Sequence, residues 1–384
     1  MSAAITHLEK ITKFVYAREK FPRAAMFALQ AVARETLGEN RMTICYRYKI
    51  PEKHVEIWHS PIRQTAYYTG LMKCGMQWVC PLCSARLSEK RRDVLTKALD
   101  NSRDRYIPIM VTYTAQHDAG MRLSTLLNGM LEAYRKMRQS RTWKLYKEEY
   151  MIVGEVRALE ITHGSAGWHP HFHTLMFLDI ALLKIVGENG RYNLAASVYD
   201  PLRAHLTPEW IAALEKCGLT ALDGPGLHVR GDWDQLDDYL TKSGSAMPKQ
   251  AEKWTVATEL TKSNRKKSRG DNLNVWDFLL MIYAGETRYV RLFKEYFQAT
   301  KGKSQMQWTP GMLAKLEVES QSDDQLLDDQ PDQADHILMR LSADHWRAIL
   351  DSGAEGRLLD ESAGGNWERI AAFLARIGVQ VDSS

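Results

Sequence analysis

Three histidines fall within five residues in the stretch Gly167-Trp168-His169-Pro170-His171-Phe172-His173-Thr174-Leu175-Met176-Phe177, which runs on into a β-prone apolar segment. On a strand, alternate side chains share a face, so His171 and His173 point one way and Phe172 points into the opposite layer. Two neutral imidazoles on one face can ligate a metal ion. A lone histidine in a strand is ordinarily a core residue; the His-x-His pair argues against that reading here. Just upstream, Arg157-Ala158-Leu159-Glu160-Ile161-Thr162 reads as a second strand and Gly164-Ser165-Ala166-Gly167 as the turn after it. Such a hairpin lays Glu160 near His171 or His173. Two histidines and one carboxylate, with coordination positions left open, suit Mg²⁺ or Mn²⁺ acting on a phosphate. Glu160 reads equally as a surface carboxylate, because its register against the histidines is inferred.

A second candidate lies in Asp237-Asp238-Tyr239-Leu240-Thr241-Lys242, where tyrosine and lysine stand i, i+3 and share a helix face. A phenol with a pKa of about 10 is a weak nucleophile unless a cation or a metal-bound phosphate favours the phenolate. Lys242 supplies such a charge. By spacing alone Tyr239 reads as a helix tyrosine packed into the core, as most of the chain's 16 tyrosines must be.

The His-hydrophobic-His strand preceded by a strand bearing glutamate resembles the HUH single-strand endonucleases. The wording around Glu160-Ile161-Thr162 and Gly167–His173 looks most like the plasmid rolling-circle replication initiators. The resemblance implies an α+β fold, a central antiparallel sheet backed by helices in an HUH/RRM-like palm. It implies a threonine-bearing strand, matched by Thr112 and Thr114, as a DNA contact. It implies Tyr239 as the nucleophile that nicks single-stranded or hairpin plasmid origin DNA, assisted by Lys242, with metal on His171, His173 and Glu160. The products are a 5′-phosphotyrosine and a 3′-OH primer, and the strand is later rejoined; host helicase and DNA polymerase are the expected partners. One departure stands out: related initiators often carry a glutamate four residues before the tyrosine, used to end a replication round, and here that position is Gln235. The resemblance runs over roughly residues 74–313.

Four of the five cysteines, Cys45, Cys74, Cys80 and Cys83, fall within 39 positions. Cys80-Pro81-Leu82-Cys83 is a tight knuckle that lets two thiolates reach one ion, and Cys74 and Cys45 complete a tetrahedral set, with His54 or His59 as alternatives to Cys45. No thioredoxin-like βαβ pattern surrounds the CxxC, so structural Zn²⁺ is favoured over a redox pair. Cys217 reads as an ordinary free thiol. A basic helix follows over about residues 84–99. Its apolar stripe is Leu87, Val94, Leu95 and Ala98, and Arg91 and Arg92 on the rest suggest phosphate contacts.

The elements that must position these groups follow from periodicity. Residues 106–115 read as a strand with Thr112 and Thr114 on one face. Residues 123–139 read as a helix whose Leu123, Leu126, Leu127, Met130, Leu131, Tyr134 and Met137 form a core stripe. Strands at 151–162 and 171–177 come next. A helix from Pro208 to about Gly218, a short strand at 227–231, a helix through Tyr239 capped by Asp232, and helices at 275–285 and 289–300 complete the body. The loop around Lys266 and Lys267 is basic and polar and fits a phosphate-binding arm.

Size and charge bound the whole. The chain has 384 residues with formal net charge +4, yet residues 317–384 hold 15 acidic side chains against 5 arginines, which leaves the remainder at +14. A basic body with an acidic end is the asymmetry expected of a nucleic-acid binder. The apolar runs are too short for a membrane span and the start lacks a signal-peptide core, so the bacterial cytoplasm is the expected compartment. The expected division is an N-terminal helical and zinc-knuckle region (1–100), an endonuclease domain (101–250), a basic loop and helical extension (251–316), and an acidic linker with a small helical tail (317–384). Two other readings stay open: an HUH relaxase or transposase, and a non-catalytic zinc-stabilised DNA-binding regulator. A metal phosphodiesterase using water would dispense with Tyr239.

Overall fold

The computed structural model describes residues 23–182, 198–230 and 272–380, and burial alternates residue by residue along the strand of residues 106–114. In chain order the first elements are α1 (Arg23–Leu37), β1 (Val55–Ser60), β2 (Thr65–Thr69), α2 (Pro81–Ser102), β3 (Tyr106–Thr114), α3 (Leu123–Gln139), α4 (Arg141–Glu149), β4 (Ile152–Gly164) and β5 (Gly167–Asp179). Then come α5 (Asp200–Glu215), β6 (Leu227–Arg230), α6 (Val275–Tyr283), α7 (Arg288–Thr300), β7 (Met306–Trp308) and α8 (Met312–Lys315). The chain closes with α9 (Asp323–Leu327), β8 (His336–Leu341), α10 (Ala343–Asp351), α11 (Glu355–Ser362) and α12 (Trp367–Arg376). The fold is α+β, with two antiparallel sheets ordered β2-β1-β8 and β6-β3-β5-β4-β7. Among the described residues no helix is long and apolar enough to cross a membrane.

The chain divides into two compact units, one of residues 88–275 and 295–321, the other of residues 1–87, 276–294 and 322–384. In the first, β4 and β5 form a long hairpin around the two-residue loop Ser165–Ala166, with Gly164 paired to Gly167. Gly167 has φ +90°, and a Cβ there would meet the Asp118 carbonyl oxygen at 2.8 Å, so glycine serves both the turn and the close approach. One face of the sheet packs Val156, Ala158, Leu175 and Phe177 against Leu95, Ala98 and Leu99 of α2 and Met312 and Leu316 near α8. The other face stacks Tyr113, Tyr134, Phe172 and Trp210 edge to face. Each such fully buried apolar side chain contributes roughly 1.5–3 kcal/mol by leaving water. The α3 stripe is buried at Leu123, Leu126, Leu127, Met130, Tyr134 and Met137, while Leu131 is only half-buried. Arg122 gives α3 no side-chain cap; the Leu123 amide instead donates to Glu295 Oε1 at 2.9 Å, a carboxylate at the positive end of the helix. Helix α5 starts eight residues before Pro208, because Pro201 already occupies the first turn where a missing N–H costs nothing.

In the other unit, β1 and β2 form a hairpin and β8 pairs along the far side of β1. Ile57 and Tyr68 of this sheet are fully buried. The first amides of α1, at Arg23 and Ala24, donate to the Asp360 carboxylate of α11. The helices touch closely, since a Cβ on Gly356 would meet Ala24 at 2.5 Å. The segment expected as an acidic linker is therefore integrated with the N-terminal region. Asp329, 7% exposed, accepts from the Lys73 ammonium at 2.7 Å and from the Gly70 amide at 2.9 Å. Tyr67 donates to Asp335 at 2.7 Å. Two of the carboxylates in the expected linker, Asp329 and Asp335, are thus partners of groups distant in sequence.

Candidate metal centre and cysteine cluster

The β4–β5 register pairs Glu160 with His171 and Ala158 with His173, while β3 on the other side pairs Thr112 with His173 and Thr114 with His171. Glu160, His171 and His173 thus project from one face, and their ligand atoms lie within 4.8 Å of one another. Glu160 Oε2 is 3.1 Å from His171 Nε2 and 3.3 Å from His173 Nε2. Burial alone would raise the Glu160 pKa; hydrogen bonds to His171 and His173 override it and hold the carboxyl far below the usual range. A buried carboxylate clasped by two imidazole nitrogens is a donor set that a divalent cation fits, one oxygen and two nitrogens converging from one side.

Outer contacts orient the rings. His173 Nδ1 is 3.1 Å from Thr112 Oγ1, and His171 Nδ1 makes a long contact of 3.4 Å to the His169 carbonyl. Each leaves the Nε2 atom for the centre. Beyond them His169 Nδ1 lies 2.7 Å from His117 Nε2. Burial, then the neighbouring His171 and His117, lower the His169 pKa to about 4, so this imidazole is neutral at pH 7.

In the unit that holds residues 1–87, Cys45, Cys74, Cys80 and Cys83 converge and are all buried. The Sγ–Sγ separations are 3.8 Å (Cys45–Cys80), 3.6 Å (Cys45–Cys83) and 3.7 Å (Cys74–Cys83). Four sulfurs bound tetrahedrally at about 2.3 Å stand about 3.8 Å apart, so these separations fit zinc. They are far too long for a disulfide. Burial opposes a thiolate at Cys80, but hydrogen bonds from Cys45, Cys74 and Cys83 hold it well below the ordinary thiol range. The matching bonds to Cys74, Cys80 and Cys83 push Cys45 up. The Gln30 amide donates to Cys80 Sγ at 3.4 Å, the kind of N–H···S bond that steadies a thiolate. Of the alternatives to Cys45, His54 is exposed and His59 turns its Nε2 to the Ala363 carbonyl at 3.0 Å.

The other residues singled out in the sequence fall as follows. Thr114 donates to the Pro225 carbonyl at 2.8 Å. Arg91 is only 7% exposed and donates to Gln305 Oε1 at 3.2 Å, whereas Arg92 is half-exposed. A guanidinium committed to an internal amide is not a surface phosphate contact, so Arg92 is the better placed of the two. Tyr239, Lys242, Gln235, Asp232, Lys266 and Lys267 lie outside the described residues, as do residues 1–22 of the region expected to be helical and zinc-binding. Sequence reasoning missed His117, an isolated histidine in a loop with no local pattern to mark it.

The replication-protein family model matches residues 71–184, a segment that holds Thr112, Glu160, His171, His173 and three of the four clustered cysteines. Residues 71–184 are thus similar to a replication-protein domain. The replication-protein likeness extends beyond that segment. A "Protein rep" of Streptomyces lividans is 24% identical over 380 residues, covering 81% of each chain. A "Neomycin resistance protein" of Streptomyces cyanogenus is 31% identical over 138 residues, 28% of this chain and 31% of that one. A "Protein rep" of Bacillus amyloliquefaciens is 32% identical over 102 residues, 26% of this chain and 29% of its own. No solved structure matches.

Proposed function

We propose that the protein initiates plasmid replication by nicking one strand of its origin through a covalent tyrosine intermediate. The observation that carries this reading is the convergence of Glu160, His171 and His173 on one sheet face within the replication-protein domain. The five-stranded antiparallel sheet with α2 against one face is the palm of an HUH endonuclease in this reading. A Mg²⁺ or Mn²⁺ ion, when bound, supplies Lewis-acid polarisation of the scissile phosphate. His171, His173 and Glu160 hold it, and Thr112 keeps His173 turned inward.

The nucleophile is Tyr239. Its phenolic oxygen attacks phosphorus, the bond from phosphorus to the 3′ oxygen breaks, and that oxygen takes up a proton to become the 3′-OH primer. The new 5′-phosphotyrosine retains the phosphodiester energy, so the reverse attack rejoins the strand without ATP. Lys242 stabilises the phenolate. The four-cysteine cluster holds structural Zn²⁺ and contributes folding free energy. Half-exposed Arg92, with Lys266 and Lys267, contacts the phosphate backbone of unpaired origin DNA. Host helicase and DNA polymerase then use the primer in the bacterial cytoplasm. Gln235 cannot act as a general base, so ending a round falls to another carboxylate nearby, Asp234, Asp237 or Asp238.

The test is nicking of labelled single-stranded origin DNA by the parent and by His171→Ala, with Mn²⁺ and with EDTA. The proposal expects cleavage by the parent with Mn²⁺ alone, and origin binding without cleavage by His171→Ala. Equal cleavage in all four arms contradicts it.

A further inference from the structure

The loop after β3 brings a fourth imidazole up to the metal-binding strand. His117 Nδ1 is 3.0 Å from the carbonyl of Ala166, in the β4–β5 turn, and its Nε2 is 2.7 Å from His169 Nδ1. The rings of His117 and His169 are 4.9 Å apart, and those of His169 and His171 5.1 Å. The close approach of the loop to the turn depends on Gly167, where a Cβ would strike the Asp118 carbonyl.

Hydrogen-bond chemistry sets the direction of this row. A carbonyl only accepts, and a neutral imidazole has one donor and one acceptor. His117 therefore carries its hydrogen on Nδ1 and gives it to Ala166, which leaves Nε2 to accept from His169 Nδ1–H. The His169 ring is thereby pinned, and its carbonyl faces His171 Nδ1. That carbonyl accepts as well, so once a cation displaces the Nε2–H bond to Glu160 the His171 hydrogen sits on Nδ1 and the Nε2 lone pair faces the cation.

We propose that His117 is a positioning residue of the metal centre. It pins the His169 ring to the hairpin turn and, through the His169 carbonyl, fixes the orientation and tautomer of His171. This rests on the divalent-metal reading above.

The experiment titrates the full-length protein with Mn²⁺ and reads the free ion by electron paramagnetic resonance. The parent and His171→Ala come first. A parent that binds no Mn²⁺ sensitive to His171→Ala removes the metal reading, and this inference with it. Given that binding, His117→Ala and His117→Phe are expected to weaken Mn²⁺ affinity by up to about 10-fold, the low end of the effect of losing a ligand's own outer-shell partner, since His117 acts through His169. His117→Gln, whose amide oxygen can accept from His169 Nδ1–H, is expected to recover most of the loss. His117 is half-exposed, so the core survives these changes, and the near-ultraviolet circular dichroism should match the parent's. Parental affinity in His117→Ala and His117→Phe overturns the positioning role and leaves the metal reading standing. A His117→Gln variant as weak as His117→Ala also overturns it, because the hydrogen-bond route then carries nothing.

Discussion

Replacing Thr112 by valine separates two roles for that residue. Valine keeps the β-branched shape and strand preference and exchanges only the hydroxyl for a methyl. The change deletes the 3.1 Å contact from Oγ1 to His173 Nδ1. A neutral hydrogen bond contributes about 0.5–1.5 kcal/mol net, and the cost grows when a buried partner loses it. His173 is 9% exposed, which places the loss toward the upper end. At about 1.4 kcal/mol per factor of ten, Mn²⁺ affinity should fall roughly tenfold. Thr112→Ser should stay near the parent. The assay pairs Mn²⁺ titration with fluorescence anisotropy of single-stranded DNA at fixed salt, measured without metal. Thr112 as an orienter of His173 predicts weaker metal binding and unchanged DNA affinity. Unchanged metal affinity with weakened DNA binding would refute this reasoning and return Thr112 to the DNA-contact role that its family resemblance suggests.

Three further outcomes are expected. Cys80→Ser should lower the zinc content of the purified protein and its thermal midpoint, since structural zinc contributes folding free energy; folded parent protein without zinc would contradict the cluster assignment. Glu160→Ala should nick more slowly than the parent at limiting Mn²⁺ and recover partly as Mn²⁺ is raised, and an undiminished rate would take Glu160 off the ligand set. Glu155→Ala should destabilise the chain by about 3–5 kcal/mol, because it strands a buried guanidinium. Arg138 pairs with Glu155 at 2.6 Å and stacks 3.6 Å over Trp143; a loss below about 1 kcal/mol in urea unfolding would show the pair to be solvated.

The hairpin that carries Glu160, His171 and His173 was legible because its signals are local. Alternation places His171 and His173 on one face, the glycines bracket the turn, and the two strands are neighbours in sequence, so Glu160 meets His171 with few registers to choose from. The α3 stripe was legible for the same reason. Cys45 was within reach too, since thiolates recruit one another over a long spacing, though only the structure turns His59 away to Ala363. The β1–β8 pairing was not legible, because it joins strands far apart in the chain, Val55 to Leu341 and His59 to His336. Local composition read the stretch around Asp329 as an acidic linker, where Lys73 and Gly70 bind that carboxylate. Arg91 looked like its neighbour Arg92, and only burial beside Gln305 separates them. His117 needed the folded loop to have any meaning at all.

The central claim is that a tyrosine of this chain becomes bonded to DNA, and mapping that bond tests it most directly. Full-length protein is incubated with single-stranded origin DNA and Mn²⁺, the adduct is isolated under denaturing conditions, and nuclease and protease digestion precede mass spectrometry. The account predicts a nucleotide phosphate on the peptide containing Tyr239, slower formation in Lys242→Ala, and no adduct in Tyr239→Phe, which keeps the ring and loses the attacking oxygen. Cleavage by Tyr239→Phe at the parental rate with no protein-linked nucleotide would contradict it and point to a water-using phosphodiesterase.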